Sequence, residues 1–127
     1  MAFPMQPRSG VPDARRRSVL VVDDDDAIRE VMAEVLRDEG YDVACAGNGE
    51  EALAELRKPS PPDLVLLDLM MPVMSGWEVL EHIQLNPELA GIPVVVVSAM
   101  GAPGVHEQLA KPIDLSSLLA TVGRLTG

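Results

Sequence analysis

The sequence predicts a single α/β domain built around a parallel sheet of five strands. From Val19 onward, short apolar runs alternate with segments of helical period, which is the pattern of successive βα units. Three of these runs, residues 19–22, 64–67 and 94–97, are apolar at every position, as expected for parallel strands that helices cover on both faces. The 127 residues suffice for one hydrophobic core and are too few for two ordinary domains.

Two weaker strand candidates complete the sheet, residues 41–46 as the second strand and residues 105–110 as the fifth. Residues 1–17 contain several prolines and no apolar periodicity, which is the composition of a flexible N-terminal arm. We therefore expect an arm over residues 1–17 and a folded domain over residues 18–127.

Four helices are predicted between and after these strands. Apolar residues at helical spacing over residues 28–36 predict the first helix, which ends at Gly40. The second, over residues 52–56, ends at a proline-rich run, because proline cannot continue the helical hydrogen bonds. The third covers residues 77–85, and the last begins behind Asp114 as its N-cap.

Composition and charge argue against several classes of function. A net charge of −10 would repel a nucleic-acid backbone or an anionic membrane, and one Phe, one Tyr and one Trp leave little aromatic surface for stacking on bases. No apolar run approaches the roughly 20 residues that span a bilayer. The lone Cys45 cannot form an internal disulfide. We expect a cytoplasmic protein that contacts neither nucleic acid nor membrane directly and that binds a cation or a cationic partner.

Polar residues stand at the predicted carboxyl ends of four strands. Asp23 and Asp24 follow the first strand, Asp68 the third, Ser98 the fourth and Lys111 the fifth. Because the carboxyl ends of parallel strands meet at one edge of the sheet, where ligands bind near the switch in strand order, we expect these side chains to lie together.

Each of these residues also has a simpler interpretation. A run of four aspartates is usually a solvated surface, and we interpret Asp25 and Asp26 as structural residues at a helix start. Asp23 and Asp24 adjoin a buried strand, where neighbouring negative charges are costly unless a cation such as Mg²⁺ neutralises them. Taken alone, the metal and surface interpretations are evenly balanced. Asp68, Ser98 and Lys111, each considered singly, are more simply turn or loop residues.

Together the residues suit phosphoryl transfer. A carboxylate such as that of Asp68 can attack phosphorus and form an acyl phosphate, provided that cations balance the charge on the transferred oxygens. Mg²⁺ held by Asp24 and Asp68, with the ammonium of Lys111 opposite, would provide that balance. The hydroxyl of Ser98 could donate a hydrogen bond to the new phosphoryl group.

The segments that carry these residues resemble one known family. They are residues 21–25 (Val-Val-Asp-Asp-Asp), 66–72 (Leu-Leu-Asp-Leu-Met-Met-Pro) with Ser75-Gly76 behind them, 96–99 (Val-Val-Ser-Ala) and 109–113 (Leu-Ala-Lys-Pro-Ile). Their joint occurrence in this order resembles the receiver domain of response regulators, the chemotaxis-regulator-like phosphoprotein module of two-component systems and phosphorelays. The resemblance extends from about residue 19 to about residue 125.

The resemblance implies both a fold and a function. It implies a flavodoxin-like, doubly wound sheet in strand order 2-1-3-4-5. It also implies a domain that is not an enzyme in its own right and only assists its own phosphorylation and dephosphorylation. A sensor histidine kinase or phosphotransfer protein would donate the phosphoryl group, and an unknown downstream protein would receive the signal.

The resemblance also implies roles for individual residues. Asp68 is the phosphoacceptor. Asp24 would bind Mg²⁺ directly and Asp23 mainly through a metal-bound water, with the backbone carbonyl of Met70 as a further ligand. Ser98 and Lys111 would contact the phosphoryl group, and the peptide bond after Lys111 would be cis.

Two departures from the family put its usual output in doubt. Only five residues separate Ser98 from Gly104, so the helix that the family places between its fourth and fifth strands is absent or shortened, and the sheet edge there should be poorly covered. Gln108 occupies the position where receivers usually carry an aromatic switch residue. An alternative function is therefore a receiver-like interaction module that works without phosphorylation. A phosphatase with an aspartate nucleophile ranks last, because no second acid follows Asp68 closely.

Overall fold

The computed structural model describes residues 17–71, 73–102, 104–105 and 107–127. Nearly all of the expected arm, residues 1–17, lies outside the described residues, and the boundary at residue 18 stays a prediction. Within the described part, strands and helices alternate up to the fourth strand. The fifth strand then follows without an intervening helix, and a final helix ends the chain.

One parallel sheet forms the centre of the fold. Its strands are β1 (Ser18–Val22), β2 (Asp42–Ala46), β3 (Leu64–Asp68), β4 (Val94–Ser98) and β5 (Gln108–Ala110). They lie in the order β2-β1-β3-β4-β5, and every neighbouring pair is parallel. The predicted doubly wound sheet and its strand order are therefore confirmed.

β5 is shorter than the predicted range of 105–110. The backbone amide of Val105 donates to the carbonyl of Ala102 at 3.0 Å, so this residue closes a turn instead of extending the strand. The ladder with β4 begins only at Gln108. Val105, the apolar residue at the start of the predicted range, belongs to the connection between β4 and β5.

Four helices flank the sheet, each with a side-chain cap at its N-terminus. They are α1 (Asp26–Asp38), α2 (Gly49–Leu56), α3 (Gly76–Leu85) and α4 (Leu115–Thr126). The capping side chains of Asp25, Asn48, Ser75 and Asp114 accept backbone N–H groups that lack a partner inside the helix. None of the described helices is long and apolar enough to cross a membrane.

The three central strands, β1, β3 and β4, bury both faces, as their continuous apolar runs predict. In β1, Leu20 and Val22 pack in one core with α2 and α3, whereas Val19 and Val21 pack in a second core with α1 and α4. β3 alternates in the same way, because successive side chains of a strand point to opposite faces. Two helices therefore cover each face.

The connection between β4 and β5 contains no helix among its described residues, 99–102, 104–105 and 107. Ala102 is buried against Leu69 and Val96, so the connection itself covers β4. Gln108 and Ala110 of β5 remain exposed. The expected loss of the helix and the poorly covered edge of the sheet are both confirmed.

Candidate functional site

The polar residues singled out above gather at the carboxyl edge of the sheet. Asp68 ends β3 and Ser98 ends β4, while Asp23 and Lys111 directly follow β1 and β5. Asp23, Asp68 and Ser98 are all buried, although the strands that carry them are otherwise apolar. Burying polar or charged groups costs free energy unless they are hydrogen-bonded or paired with an opposite charge. We therefore expect a cation or a hydrogen-bonding group beside them.

Three carboxylates form a cluster at this edge. Oxygens of Asp23, Asp24 and Asp68 all lie within 4.8 Å of one another; Asp23 and Asp68 are buried, and Asp24 is exposed. The proximity expected from the sequence is present. The exposed position of Asp24 leaves the cluster open to solvent on one side, which a metal ion that retains part of its hydration shell requires.

Lys111 contributes the positive charge at the site. Its ammonium nitrogen lies 3.0 Å from Oδ2 of Asp23 and 3.6 Å from Oδ2 of Asp68. The peptide bond between Lys111 and Pro112 is cis, as the resemblance implies. Among the described residues, one ammonium thus stands close to two of the three carboxylates, so the carboxylates of the site outnumber its ammonium groups.

The surroundings shift the pKa of two of these groups. Burial raises the pKa of Asp68; the backbone N–H of Met70, which donates to Oδ1 at 3.2 Å, opposes the shift, and the negative charge of Asp23 adds to it. Burial lowers the pKa of Lys111, but the close contact of its ammonium with Asp23 and the charges of the neighbouring carboxylates outweigh burial, and the pKa is raised overall. Ionisation of Asp68 is thus less favourable in the folded protein than in an unfolded chain.

The donor set fits a hard divalent cation. Oδ1 of Asp23 accepts the backbone N–H of Asp25 at 2.9 Å. Within the described residues, Oδ2 of Asp23 is buried and accepts no hydrogen bond of good geometry, although the ammonium of Lys111 lies close by. Carboxylate oxygens with unused lone pairs are the ligands that Mg²⁺ prefers. The carbonyl of Met70 as a further ligand stays a prediction.

Ser98 is held in place by the backbone around it. Its hydroxyl accepts the N–H of Met100 at 3.2 Å, and its carbonyl accepts the N–H of Lys111 at 3.2 Å. Among the described residues no acceptor for the hydroxyl proton of Ser98 is found, so the proton could be donated to a ligand at the carboxyl edge.

Comparison with known proteins assigns the chain to a family. The family model described as "Response regulator receiver domain" matches residues 19–123, the range that contains the acidic cluster, Ser98 and Lys111. The chain belongs to this family.

Curated relatives of this receiver domain include larger regulators. The DNA-binding response regulator MtrA of Mycolicibacterium smegmatis is 38% identical over 119 residues, which cover 87% of this chain and 50% of MtrA. The DNA-binding dual master transcriptional regulator RpaA of Synechocystis is 34% identical over 116 residues, which cover 84% of this chain and 48% of RpaA. The chain thus spans about half the length of the curated relatives that it matches.

Solved structures share the fold over nearly their whole length. The chemotaxis response regulator CheY4 of Vibrio cholerae superposes with a TM-score of 0.80 at 31% identity, covering 87% of this chain and 98% of CheY4. The non-phosphorylated HemR receiver domain of Leptospira biflexa gives 0.77 at 29% identity, covering 88% and 95% respectively.

The receiver domain contains one site residue that the sequence argument does not identify, Arg29. Its guanidinium donates to the backbone carbonyl of Asp23 at 2.8 Å and pairs with the carboxylate of Asp26. A basic residue near a helix N-terminus opposes the helix dipole, so its presence in α1 could have signalled a local role. Arg29 fixes the backbone from which Asp23 and Asp24 project.

Close packing of backbone segments also shapes the site of the receiver domain. A side chain at Gly76 would place its Cβ 2.3 Å from the carbonyl oxygen of Asp68. Only glycine allows α3 to begin this close to the end of β3. As expected, Asp25 and Asp26 serve α1, the first as its N-cap and the second as the partner of Arg29.

Proposed function

We propose that this receiver domain accepts a phosphoryl group on Asp68 from a histidine kinase or a phosphotransfer protein. The reaction depends on Mg²⁺ and changes the affinity of the domain for a downstream protein. The observation that carries the proposal is the arrangement of Asp68 between two further carboxylates and one ammonium at the carboxyl edge of the sheet. Asp23, Asp24 and Asp68 would hold Mg²⁺, which would supply positive charge for the transferred phosphoryl group.

Asp68 acts as the nucleophile of the transfer. A carboxylate oxygen forms a bond to phosphorus while the phosphorus–nitrogen bond of a phosphohistidine breaks, and the electron pair of that bond stays with the imidazole. The backbone N–H of Met70 holds the other carboxylate oxygen. The product is an acyl phosphate on β3.

Lys111 and Ser98 stabilise the transferred group. The ammonium of Lys111 reaches the carboxylates of both Asp23 and Asp68 and can turn to the phosphoryl oxygens that form beside them. Ser98, one strand further along the sheet, directs its free hydroxyl proton to the same group.

An apolar groove beside the site supports a protein as phosphodonor. The groove has a volume of about 310 Å³ and includes Ile28 and Val31 of α1, Ile113 and Leu115 near the start of α4, and Lys111. A helix docked here would lie next to the ammonium that contacts Asp68. Val31 and Leu115 are exposed here, so a partner helix could contact them directly.

The test is phosphorylation by acetyl phosphate and Mg²⁺, followed by intact-protein mass spectrometry. The wild type should gain one phosphoryl group, and Asp68→Asn should gain none. Asp38→Asn serves as the matched control, because this exposed aspartate at the end of α1 lies outside the carboxylate cluster and should leave phosphorylation intact. Equal labelling of the wild type and Asp68→Asn would exclude Asp68 as the acceptor.

A second candidate is an interaction module that works without phosphorylation. The missing helix and the presence of Gln108 favour it, since both alter the surface next to Ser98. This alternative predicts that neither protein is labelled and that calorimetry detects no Mg²⁺ binding.

The remaining expectations are part of the same proposal. We propose a cytoplasmic module that is not an enzyme in its own right. The net charge of −10 supports the absence of direct contact with nucleic acid. MtrA and RpaA are described as DNA-binding, and each is about twice as long as the region that this chain matches.

A further inference from the structure

A groove on the opposite side of the domain from the apolar docking groove lies between α3 and the β4–β5 connection. It has a volume of about 420 Å³ and its walls come from Trp77, Glu78, Leu80, Glu81 and Gln84 of α3 and from Gly104 and Val105 of the connection. The carbonyl of Val105 accepts the side-chain amide of Gln108, so the groove borders the part of β5 that no helix covers. We call it the α3 groove.

The lining of the α3 groove combines an aromatic face with carboxylates. Trp77, the only tryptophan of the chain, is 46% exposed. Glu81 is one helical turn away on the same face, and it makes no hydrogen bond or ion pair with the described residues. Glu78 uses its carboxylate partly to close the capping box with Ser75. No basic residue lines the groove within the described part of the chain.

This chemistry selects a cationic side chain. A guanidinium or ammonium placed over the indole of Trp77 gains a cation–π interaction, and a guanidinium can at the same time pair with the carboxylate of Glu81. Leu80 and Val105 add apolar contacts for neighbouring side chains. The net charge of −10 reinforces the preference, because it attracts basic segments and repels nucleic acid and anionic membranes.

We propose that the α3 groove is a docking surface for a short basic segment of a partner protein. An arginine or lysine of that segment stacks on Trp77 and pairs with Glu81, while an adjacent apolar residue contacts Leu80 and Val105. This surface is separate from the Asp68 site, and the proposal holds whether or not Asp68 accepts a phosphoryl group.

The test is titration of the full chain with a designed helical peptide that carries arginine and leucine on one face. A second peptide with glutamate in place of arginine is the matched probe. Because Trp77 is the only tryptophan, its fluorescence reports directly on the groove. We expect a saturable change in emission with the arginine peptide alone, and weaker binding as the salt concentration rises.

Variants separate local recognition from general attraction between opposite charges. Glu81→Gln should weaken binding roughly two- to fivefold, the effect of losing an exposed ion pair. Trp77→Ala, followed by calorimetry, should weaken it about tenfold, and Trp77→Phe should recover part of the loss without disturbing the fold. Glu34→Gln, which removes the same charge from an exposed position on α1, should have no effect.

Three outcomes would overturn the proposal. One is equal weakening by Glu81→Gln and Glu34→Gln, since binding would then follow net charge alone. Another is the absence of binding both in the wild type and in a chain with Arg8, Arg15 and Arg16 changed to glutamine. If the wild type fails to bind but a chain with Arg8, Arg15 and Arg16 changed to glutamine binds, the groove accommodates the N-terminal segment of this chain and not a partner.

Discussion

The carboxylate of Asp68 is nearly inaccessible to water at the end of β3, and its pKa is raised chiefly by that burial. Since the folded pKa lies above the unfolded value of about 3.9, ionised Asp68 destabilises the fold. This contribution is absent below the unfolded pKa and develops fully as the pH rises through the folded pKa. The function proposed for Asp68 and the stability of the fold are therefore in conflict at this residue.

Asp68→Asn should accordingly stabilise the protein at neutral pH in the absence of Mg²⁺, by about 0.5–2 kcal/mol. The gain should disappear as the pH falls below the unfolded pKa. Urea unfolding with a metal chelator at a series of pH values would measure it, with Glu34→Gln as a control that shifts stability by less than about 0.5 kcal/mol. A destabilised Asp68→Asn protein at neutral pH would contradict the argument.

Arg29 acts on the acidic cluster through the backbone. Its bond to the carbonyl of Asp23 holds the turn from which both Asp23 and Asp24 project. Loss of such an outer contact commonly weakens metal binding about 10- to 100-fold. We expect Arg29→Met to lower Mg²⁺ affinity by about tenfold in calorimetry, with Arg29→Lys between it and the wild type. Unchanged Mg²⁺ affinity in Arg29→Met would remove Arg29 from the site.

At the scale of elements, the β4–β5 connection replaces a helix with a loop held by one side chain. Gln108 accepts the N–H of Ala102 at 2.8 Å and donates to the carbonyls of Ala102 and Val105 at 3.0 and 2.7 Å. The same loop reaches the carboxyl edge of the sheet, because Met100 donates its N–H to the hydroxyl of Ser98. Gln108, which stands where the family usually carries an aromatic residue, thus holds the helix-free β4–β5 connection in place.

Gln108→Ala should therefore lower the free energy of unfolding by about 1–3 kcal/mol, because it leaves the amide of the buried Ala102 without its acceptor. Hydrogen exchange at the Ala102 amide should accelerate with it. Gln84→Ala is the matched control, since it removes an exposed glutamine of α3 and should change stability little. Equal stability of the two variants would show that the loop does not depend on Gln108.

At the scale of the whole molecule, Mg²⁺ should stabilise the domain because the cluster of three carboxylates exists only in the folded state. Saturation to about 100 times the dissociation constant raises the free energy of unfolding by about 2.7 kcal/mol. Thermal unfolding should shift upward by several degrees with Mg²⁺. Asp24→Asn should lose most of this shift, and Asp38→Asn, at an exposed position of α1, should retain it. A Tm that does not respond to Mg²⁺ would contradict the metal site.

Local patterns were enough to predict most of the architecture. The strands β1, β3 and β4 could be predicted because both of their faces are buried, which makes every position apolar. The cap at Asp114 could be predicted because its carboxylate accepts a backbone N–H only two residues away, from Ser116. The proximity of Asp23, Asp68 and Lys111 could be predicted because the carboxyl ends of parallel strands lie at one edge of the sheet. This prediction requires only the order of strands and helices along the chain.

The contacts of Arg29 and Gln108 and the α3 groove could not be predicted in this way. A polar side chain has several possible partners along the chain, and the packing of distant segments determines which of them it meets. Trp77 and Val105 become neighbours only because the shortened connection folds back over β4, next to α3. Periodicity therefore predicts which face of an element is buried, while the three-dimensional arrangement alone sets which exposed residues share a surface.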